Sequence, residues 1–279
     1  MSRFFLLAIL SVQLCADIFT LSLKDQRAKS SYTVEDPQQQ LRSELLFPKH
    51  FTTLGIAYTY TYLDYDFTLS SDFLLHSKDQ KGEDFDWQDD ELTVYSNSND
   101  TLNSYQHYKL QASKKISHDF ALVGAFIYED IQEHWSDTKQ QNYVTDNTTQ
   151  LRGKTLEFSQ TFYQYLLGIT YSKEVFSEFS INFTPSFVYS YINTKDTHIL
   201  RGFYVVQECH AFGYDLKLSL EKKLTINTAL GLHLQYINFE DKQTDMRYYF
   251  SSSKNLFATY PSSYRYQNLN LNITYQYKF

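Results

Sequence analysis

Two pairs of ionisable residues in this sequence are each separated by a single residue. One pair is Asp84 and Asp86, and the other is Asp196 and His198. In an extended strand, residues at i and i+2 lie on the same face, so each pair presents both polar groups to one side. Three carboxylates and an imidazole that met across a cavity could hold a water molecule and activate it for hydrolysis.

The two pairs would contribute differently to that chemistry. Asp196 can accept a hydrogen bond from one nitrogen of His198, which fixes the tautomer and raises the basicity of the other nitrogen. Asp84 and Asp86 are like charges close together, so one carboxyl can keep its proton near neutral pH while its neighbour orients the water. A water held between His198 and one of these aspartates could attack a peptide carbonyl without a covalent intermediate.

The spacing of these residues leaves two other interpretations open. Asp and His are ordinary residues of exposed polar loops, and the segment 77–103 is acidic throughout. The four side chains can therefore be solvated loop charges. Oxygen-rich acidic loops also suit a calcium ion. The elements that carry the residues must decide among hydrolysis, calcium binding and a solvated rim.

The composition narrows the class of protein. The chain has 279 residues and a net charge of -7, with no basic patch or stripe of the kind that nucleic-acid binding needs. Aromatic residues make up 18% of the chain, including 25 Tyr and 22 Phe, although only 42% of residues are hydrophobic. Gly and Pro are scarce, at 8 and 4, which disfavours collagen-like and disordered chains.

The first residues have the features of a secretory signal peptide. A positive start at Arg3 is followed by an apolar run at 4–12 and by the small residue Ala16. The run is too short to span a bilayer as a helix, so we predict a signal peptide at 1–16 that is removed. The mature chain then keeps one cysteine, Cys209, which cannot form an internal disulfide and is predicted to pack on a strand as an unreactive thiol.

Period-two alternation of apolar and polar residues recurs along the chain and is clearest in 212–220, 224–236 and 269–279. A soluble sandwich also shows such alternation. Three features favour a transmembrane barrel: strands of about ten residues or more, aromatics near strand ends, and an aromatic C-terminus at Phe279. We therefore predict an all-β protein, a ten-stranded antiparallel transmembrane barrel over 17–279 in the outer membrane.

The connections between the predicted strands alternate in length. The strands are expected at 17–33, 42–63, 66–76, 104–116, 119–135, 153–173, 178–194, 203–221, 224–240 and 264–279. Short turns fall near 64–65, 117–118, 174–175 and 222–223, and long polar loops at 77–103, 136–152, 195–202 and 241–263. Long loops of such barrels lie outside the cell. Both pairs of ionisable residues are thus expected at the extracellular rim, on opposite sides of the ring.

Both pairs lie in motifs that resemble those of a known family. The stretch from Asp84 to Trp87 resembles the Asp-x-Asp-Trp motif of the omptins, ten-stranded outer-membrane proteases of Gram-negative bacteria, and Asp196-Thr197-His198 is similar to their Asp-x-His motif. The resemblance extends over most of the mature chain in strand count, loop rhythm, a Ser43-x-Leu45 stretch and the aromatic C-terminus. It implies an aspartic-type endopeptidase that cleaves peptides or proteins at the cell surface.

The resemblance also implies a role for each residue. Asp84 would be the partner of the attacking water, His198 the general base with Asp196 beside it, and Trp87 a buttress for the first pair, unless Trp87 is a girdle aromatic. It implies no metal or cofactor. Lipopolysaccharide would act as an activator, bound on the outer wall by basic side chains, for which Lys and Arg around 152–154 are candidates.

The sequence departs from the family at the substrate pocket. Omptins favour basic residues because acidic side chains line that pocket, but the corresponding positions here are Thr194 and a residue near Ser30-Ser31. We therefore predict changed or relaxed specificity. Arg201 is either a cleft residue or a counter-charge on its loop. The remaining histidines are predicted to be structural or exposed; they include His76, His107, His118, His134, His210 and His233.

The same residues also fit two functions other than peptide hydrolysis. The first is a barrel without catalysis, a small porin or a surface-binding protein whose acidic loops form a solvated rim. The second is a metal-dependent hydrolase or a calcium-bearing adhesin at the same site. A narrow lumen argues against a wide pore, because about ten strands leave little free interior.

Overall fold

The structure, a computed structural model, describes residues 18–176 and 178–279. The predicted signal peptide at 1–16 lies outside the described residues. Within them the chain forms eleven strands: β1 (Ile18–Asp36), β2 (Leu41–Tyr62), β3 (Tyr65–Lys78), β4 (Gln80–Gln88), β5 (Glu91–Lys115), β6 (Phe120–Asn142), β7 (Asn147–Phe176), β8 (Phe179–His198), β9 (Phe203–Lys223), β10 (Thr228–Phe250) and β11 (Leu256–Lys278). A helix long and apolar enough for a membrane span is not found in this part of the chain.

The strands form one antiparallel sheet that closes on itself. Neighbours in sequence pair along the sheet, and β1 pairs both with β11 and with β2, which joins the two edges. Closure leaves no long unpaired edge, so the backbone groups of the wall are satisfied by neighbouring strands. The predicted all-β antiparallel architecture is confirmed.

The strand count differs from the prediction because one wall strand is interrupted. β3 and β4 are separated by Asp79, and both run between β2 and β5 in the same direction. β3 pairs with one half of β2 and β4 with the other, so the two occupy a single position in the ring. Eleven strands thus fill ten positions around the barrel.

The predicted long loops are wrong: the strands continue through most of them. The segment 77–103 contains β4 and the start of β5, joined by a turn at 89–90, and 241–263 contains the ends of β10 and β11. We call the end of the barrel with the turns at 37–40, 89–90, 143–146, 199–202 and 251–255 the mouth, and the opposite end the base. Near the mouth both faces of these strands carry polar residues, so the sequence there lacks the apolar–polar alternation that predicts a strand.

The outer face changes character along the barrel. Towards the base it carries exposed apolar side chains, including Leu21, Leu23, Leu69, Leu110, Leu122, Leu167, Ile169, Phe183, Leu216, Leu218, Leu232, Leu234, Leu271 and Ile273. Above this band a row of tyrosines crosses neighbouring strands, with ring centroids 6.2 Å apart for Tyr108 and Tyr128, 5.5 Å for Tyr128 and Tyr163, and 6.1 Å for Tyr163 and Tyr191. An apolar band bordered by aromatics is the pattern that a barrel wall shows to lipid.

The lumen is closed halfway along its length by packed aromatic rings. The plug, as we call it, consists of Phe51, Tyr105, Phe162, Phe239 and Tyr266, each at most 5% exposed. Ring centroids lie 5.1 Å apart for Phe162 and Tyr266 and 4.7 Å apart for Phe51 and Tyr105. Because Phe162 is on β7 and Tyr266 on β11, this contact joins strands that are not neighbours in the wall. The interior is therefore a packed core at this level.

Polar groups line the lumen between the plug and the base. A cavity of about 270 Å³ is bordered there by ionisable residues including Lys24, Asp72, His107 and Lys217. Lys24 Nζ lies 2.6 Å from Asp72 Oδ2. The plug separates this cavity from the mouth, where both predicted pairs lie.

Candidate active site

A tight hairpin presents Asp84 and Asp86 at the mouth. Asp89 and Asp90, between β4 and β5, have φ angles of 52° and 62°. A two-residue turn with both φ values positive fits the twist of an antiparallel hairpin, and Asp tolerates this conformation better than most residues. The turn lets β4 pair with β5 on one side and β2 on the other, so the aspartates lie on a strand supported from both sides.

The two aspartates of this pair have different surroundings. The Ser43 hydroxyl, on the neighbouring β2, donates a hydrogen bond to Asp86 Oδ1. Asp84 Oδ1 is covered from solvent and has no hydrogen-bond partner within residues 18–176 and 178–279. A carboxylate that is desolvated and lacks a donor is costly, so Asp84 favours its protonated form.

Of the two roles predicted for Trp87, the buttress for the aspartates is wrong. As the residue after Asp86 it lies on the opposite face of the strand, where it stacks on Phe85 at 5.7 Å and receives the Arg42 guanidinium at 4.2 Å. The support on the inner face is Trp135 of β6. A side chain at Gly82, two residues before Asp84, would overlap the Trp135 indole, so the glycine lets that ring lie beneath the pair.

Asp196 and His198 lie at the mouth end of β8, on the strand and not in the predicted loop at 195–202. Asp196 is 1% exposed, and its Oδ2 lies 3.4 Å from His198 Nε2. The chain turns immediately afterwards, where the Gly202 amide donates to the His198 carbonyl at 3.0 Å and Gly202 has a φ of 69°. A left-handed φ at this point suits glycine, and the turn ends the strand directly after the imidazole.

Tyr32 is a partner of the dyad that sequence reasoning missed. It lies on β1, and its hydroxyl crosses the lumen to donate a hydrogen bond to Asp196 Oδ2. Burial, followed by the charge of Asp196, raises the pKa of Tyr32, so the hydroxyl stays protonated and serves as a donor. The sequence holds 25 tyrosines, and nothing in the local pattern marks this one.

A layer of stacked aromatics underlies both pairs. Ring centroids are 6.0 Å apart for Tyr32 and Phe158, 4.0 Å for Phe158 and Phe47, and 4.8 Å for Phe47 and Trp135. Tyr32 holds Asp196 at one end of the layer, and Trp135 lies against Gly82 at the other. Both pairs therefore stand on one rigid floor, whose rings are each at most 3% exposed.

The charges that act on Asp84 include those of the second pair, and we call the space above the aromatic floor between the two pairs the cleft. Burial first, and then the neighbouring charge of Asp86, raise the pKa of Asp84 to about 7. Arg201 and His198 oppose this shift, and Asp196 adds to it. The groups on β8 and in the turn after it thus act on an aspartate of β4. Arg201 itself is exposed in the turn after β8.

The two predicted pocket positions are non-acidic and tightly packed. Thr194 is 3% exposed on β8. Ser30 is fully buried, and its Oγ lies 2.8 Å from Lys49 Nζ. The Lys49 ammonium, which the sequence did not reveal, also lies 3.0 Å from Glu133 Oε1. A buried cation with its own carboxylate partner therefore lies beside the Ser30 position.

The other histidines have partners outside this cleft or are exposed. His76 is exposed, and the others lie near Asp72 (His107, 2.9 Å), Asp119 (His118, 2.7 Å), Asn103 (His134, 2.8 Å), Tyr189 (His210, 2.8 Å) and both Ser219 and Thr274 (His233, 2.7 and 2.8 Å). Cys209 is fully buried on β9, in agreement with a packed thiol. These placements agree with the structural roles predicted for them.

The described residues contain no group of three or more His, Cys, Asp and Glu side chains arranged to hold a metal ion. On the outer wall Lys154, one of the candidates for lipopolysaccharide binding, lies 2.9 Å from Glu157. That contact occupies its ammonium with a neighbouring carboxylate.

The fold and the position of the cleft define a class of protein: a closed antiparallel barrel with a plugged lumen and ionisable groups at the mouth. Comparison with solved structures agrees with this class. The outer membrane protease OmpT from Escherichia coli matches with a TM-score of 0.82 over 94% of this chain and 96% of that chain, at 13% sequence identity. At this identity the match establishes the fold alone.

Other solved barrels are much less similar. The translocator domain of the autotransporter NalP from Neisseria meningitidis matches with a TM-score of 0.40 at 11% identity, covering 93% of this chain and 88% of that chain. The outer membrane protein OprG from Pseudomonas aeruginosa matches with a TM-score of 0.38 at 9% identity, covering 95% and 97%. No protein-family model and no curated protein matches the sequence.

Proposed function

We propose that this chain is a divergent omptin-type endopeptidase of the outer membrane, which hydrolyses peptide bonds with a water activated at the mouth of the barrel. The observation that supports the proposal is that one layer of aromatic rings joins the Tyr32–Asp196 hydrogen bond to the Gly82 position on β4, while the charges of Asp196 and His198 act on Asp84. The OmpT-like fold and the two motifs support it.

The outer face supports a membrane location. The apolar band towards the base and the tyrosine row above it match what a barrel wall presents to acyl chains and headgroups. Short turns lie at the base and the extended hairpins at the mouth, which is the arrangement of periplasmic turns and extracellular loops. The cleft then faces the outside of the cell, where peptides and proteins can reach it.

The proposed reaction uses the dyad as the base. A neutral His198 that keeps its proton on Nε2, beside Asp196, presents the lone pair of Nδ1 to a water. As the water oxygen bonds to the peptide carbonyl carbon, its proton passes to His198. When the carbon–nitrogen bond breaks, the same proton passes to the leaving amine. Tyr32 holds Asp196 in position throughout.

In this proposal the aspartate pair stabilises the negative charge that develops on the carbonyl oxygen, whereas the family resemblance implied that Asp84 holds the attacking water. Because its pKa is raised to about 7, Asp84 keeps a proton near neutral pH and can donate it in a hydrogen bond to that oxygen. Asp86, held by Ser43, provides the neighbouring charge. Donation from a preorganised group in a covered site contributes more than the same bond in water.

Lipopolysaccharide remains a proposed activator, carried over from the family resemblance. Outer-membrane lipid and peptide or protein substrates are the partners that we propose, with no resident metal or cofactor.

The test is cleavage of a diverse peptide pool by purified protein reconstituted with lipopolysaccharide. The His198→Ala variant should cleave about 10²- to 10⁴-fold more slowly, because it lacks the general base. The matched control is His210→Ala, which removes an outer-face histidine hydrogen-bonded to Tyr189 and should cleave like the parent protein. The proposal would be contradicted if the parent protein and His198→Ala cleaved the peptides equally fast. It would also be contradicted if neither protein cleaved any peptide.

A parallel experiment with a chelator distinguishes the proposed peptidase from a metal-dependent hydrolase. If His198 and the aspartates activate the water, peptides should be cleaved with unchanged rate constants in excess chelator, whereas a metal-dependent hydrolase would lose activity. Barrel formation of each variant is checked independently by its resistance to unfolding in detergent.

A further inference from the structure

Four aromatic side chains form a wall beside the dyad. This aromatic wall consists of Phe203 of β9, Tyr248 of β10, and Phe257 and Tyr260 of β11. The His198 ring stacks on Phe203 with centroids 4.4 Å apart, and Phe203 lies 5.8 Å from Tyr248. Tyr248 in turn contacts Tyr260 at 5.4 Å and Phe257 at 6.0 Å. The wall is thus continuous from the imidazole outwards.

Strand register shows that the wall extends the inner face on which the dyad lies. Phe203 pairs with His198, and Val205 pairs with Asp196. Tyr248 pairs with Val205 from the other side. Residues directly opposite on neighbouring strands have their side chains on the same face, so Asp196, Val205 and Tyr248 form one row across three strands. Asp196 and Val205 are buried, so the side chains that a peptide bound at His198 could reach are those of the aromatic wall.

The outer part of the wall is exposed although it lies far from the apolar band. Phe257 is 44% exposed, and its ring stacks on that of Phe250, which is 48% exposed, at 4.3 Å. Ring surface exposed at a polar rim is unfavourable in water unless something covers it. Its continuity with the dyad makes a substrate side chain the occupant that the geometry favours.

The wall carries no full charge. Its members are Phe and Tyr, and burial, followed by the charge of Asp196, raises the pKa of Tyr248, so that its hydroxyl stays neutral. Beneath the cleft, Ser30 contacts the Lys49 ammonium, and that ammonium is also paired with Glu133. The uncharged wall itself offers a substrate arginine no carboxylate partner, which removes the advantage of a basic residue there.

We infer that the aromatic wall is the specificity subsite for a substrate residue adjoining the cleaved bond, and that it takes an aromatic or large aliphatic side chain. This inference rests on the proposed function. An apolar pocket discriminates by buried area, so the expected preference for Phe or Leu over Ala is about 10- to 100-fold in kcat/KM.

The test uses a peptide with a single cleavable bond, taken from the pool, in which each flanking residue is replaced in turn by Phe, Leu, Ala, Arg or Glu. Phe and Leu at one flank should give the highest kcat/KM and Arg no advantage over Ala. In Phe257→Ala, the ratio of kcat/KM for the Phe peptide to that for the Ala peptide should fall by about tenfold.

The matched control is Tyr249→Ala. Tyr249 is adjacent to Tyr248 but stacks on Tyr204 of the outer face, with centroids 5.2 Å apart, so this variant should keep the parental ratio. A preference for Arg, or a ratio unchanged by Phe257→Ala, overturns the subsite while leaving the peptidase proposal in place. A parent protein that cleaves no peptide at all overturns both.

Discussion

Asp84 is the residue whose protonation state decides the proposed chemistry. Its Oδ1 is covered and has no hydrogen-bond partner among the described residues, whereas Asp86 accepts from Ser43. Burial and the charge of Asp86 raise the pKa of Asp84 to about 7, against the pull of Arg201. The two aspartates of one motif are thus made unequal by their surroundings, which is how paired carboxyls acquire different roles.

This inequality predicts a descending limb in the pH profile. Asp84 is protonated below about pH 7 and ionised above it, so kcat/KM should fall as pH rises through about 7, because the ionised group cannot donate to the carbonyl oxygen. Asp86→Asn removes a charge that raises the pKa and should move the limb to lower pH. Arg201→Gln removes a charge that lowers the pKa and should move it to higher pH. Shifts of roughly half a unit to one unit are expected.

The position of the limb, measured from kcat/KM over pH 5 to about 9, is the readout, because Asp86→Asn also lowers the rate itself. Arg247→Gln serves as the control: it removes an arginine whose Nη2 lies 2.6 Å from Glu208 on the outer face and should leave the limb in place. Limbs that move in the same direction in Asp86→Asn and Arg201→Gln would contradict this assignment.

At the scale of elements, the β4–β5 hairpin determines where the aspartate pair lies. Its turn at Asp89 and Asp90 and its pairing with β2 fix the strand, and Gly82 brings it close to Trp135. The indole takes the space that a side chain at position 82 would occupy. The height of Asp84 above the aromatic floor therefore depends on the absence of one methyl group.

Gly82→Ala is expected to destabilise the barrel and weaken catalysis together. The new Cβ would overlap the indole, and overpacking of this kind costs about 1–3 kcal/mol of unfolding free energy. Displacement of β4 or Trp135 should also lower kcat/KM, because reacting groups misplaced by about 1 Å lose about 10²-fold. Denaturant unfolding in lipid vesicles and cleavage of the peptide pool measure the two effects.

Gly124→Ala on β6 is the matched control, since the nearest heavy atom to a Cβ there is the Leu166 carbonyl oxygen at 4.0 Å. It should change neither stability nor rate appreciably. The smaller ring in a Gly82→Ala, Trp135→Phe double variant should recover part of the lost stability. A Gly82→Ala variant as stable and active as the parent would show that the close approach is unimportant.

At the scale of the whole molecule, contacts across the lumen join opposite walls of the barrel. Tyr32 reaches Asp196, Phe47 stacks on Phe158, and the plug closes the level below. These contacts join β1 and β2 to β7 and β8, which lie on the far side of the ring. A packed interior also resists the change of shape that would misalign the two pairs.

The plug predicts that the reconstituted protein conducts no ions. In a planar bilayer the current should stay at that of the bare membrane, because tightly packed apolar rings leave no continuous water path. Peptide cleavage by the same preparation of reconstituted protein verifies that the barrel is inserted and folded. A steady ohmic conductance would favour the porin alternative and would show that the plug opens.

The sequence alone determined the local features. Alternation of apolar and polar residues predicted strands with one polar and one apolar face. The spacing of each ionisable pair placed both of its members on one face. These properties depend only on residues that are close together in the sequence. The all-β class followed in the same way, whereas the non-acidic pocket positions at Thr194 and Ser30 were inferred from the family resemblance.

Only the tertiary structure decided the rest. The strands continue through the expected loops because they pair with neighbouring strands there. The sequence does not predict this continuation, since a strand with water on one face and polar groups on the other shows no alternation of apolar and polar residues. Tyr32, Lys49 and Trp135 became part of the site because closure of the ring brings distant strands together at a particular register. Sequence spacing carries no information about such contacts, for the distance across a barrel is set by strand number and stagger and not by separation along the chain.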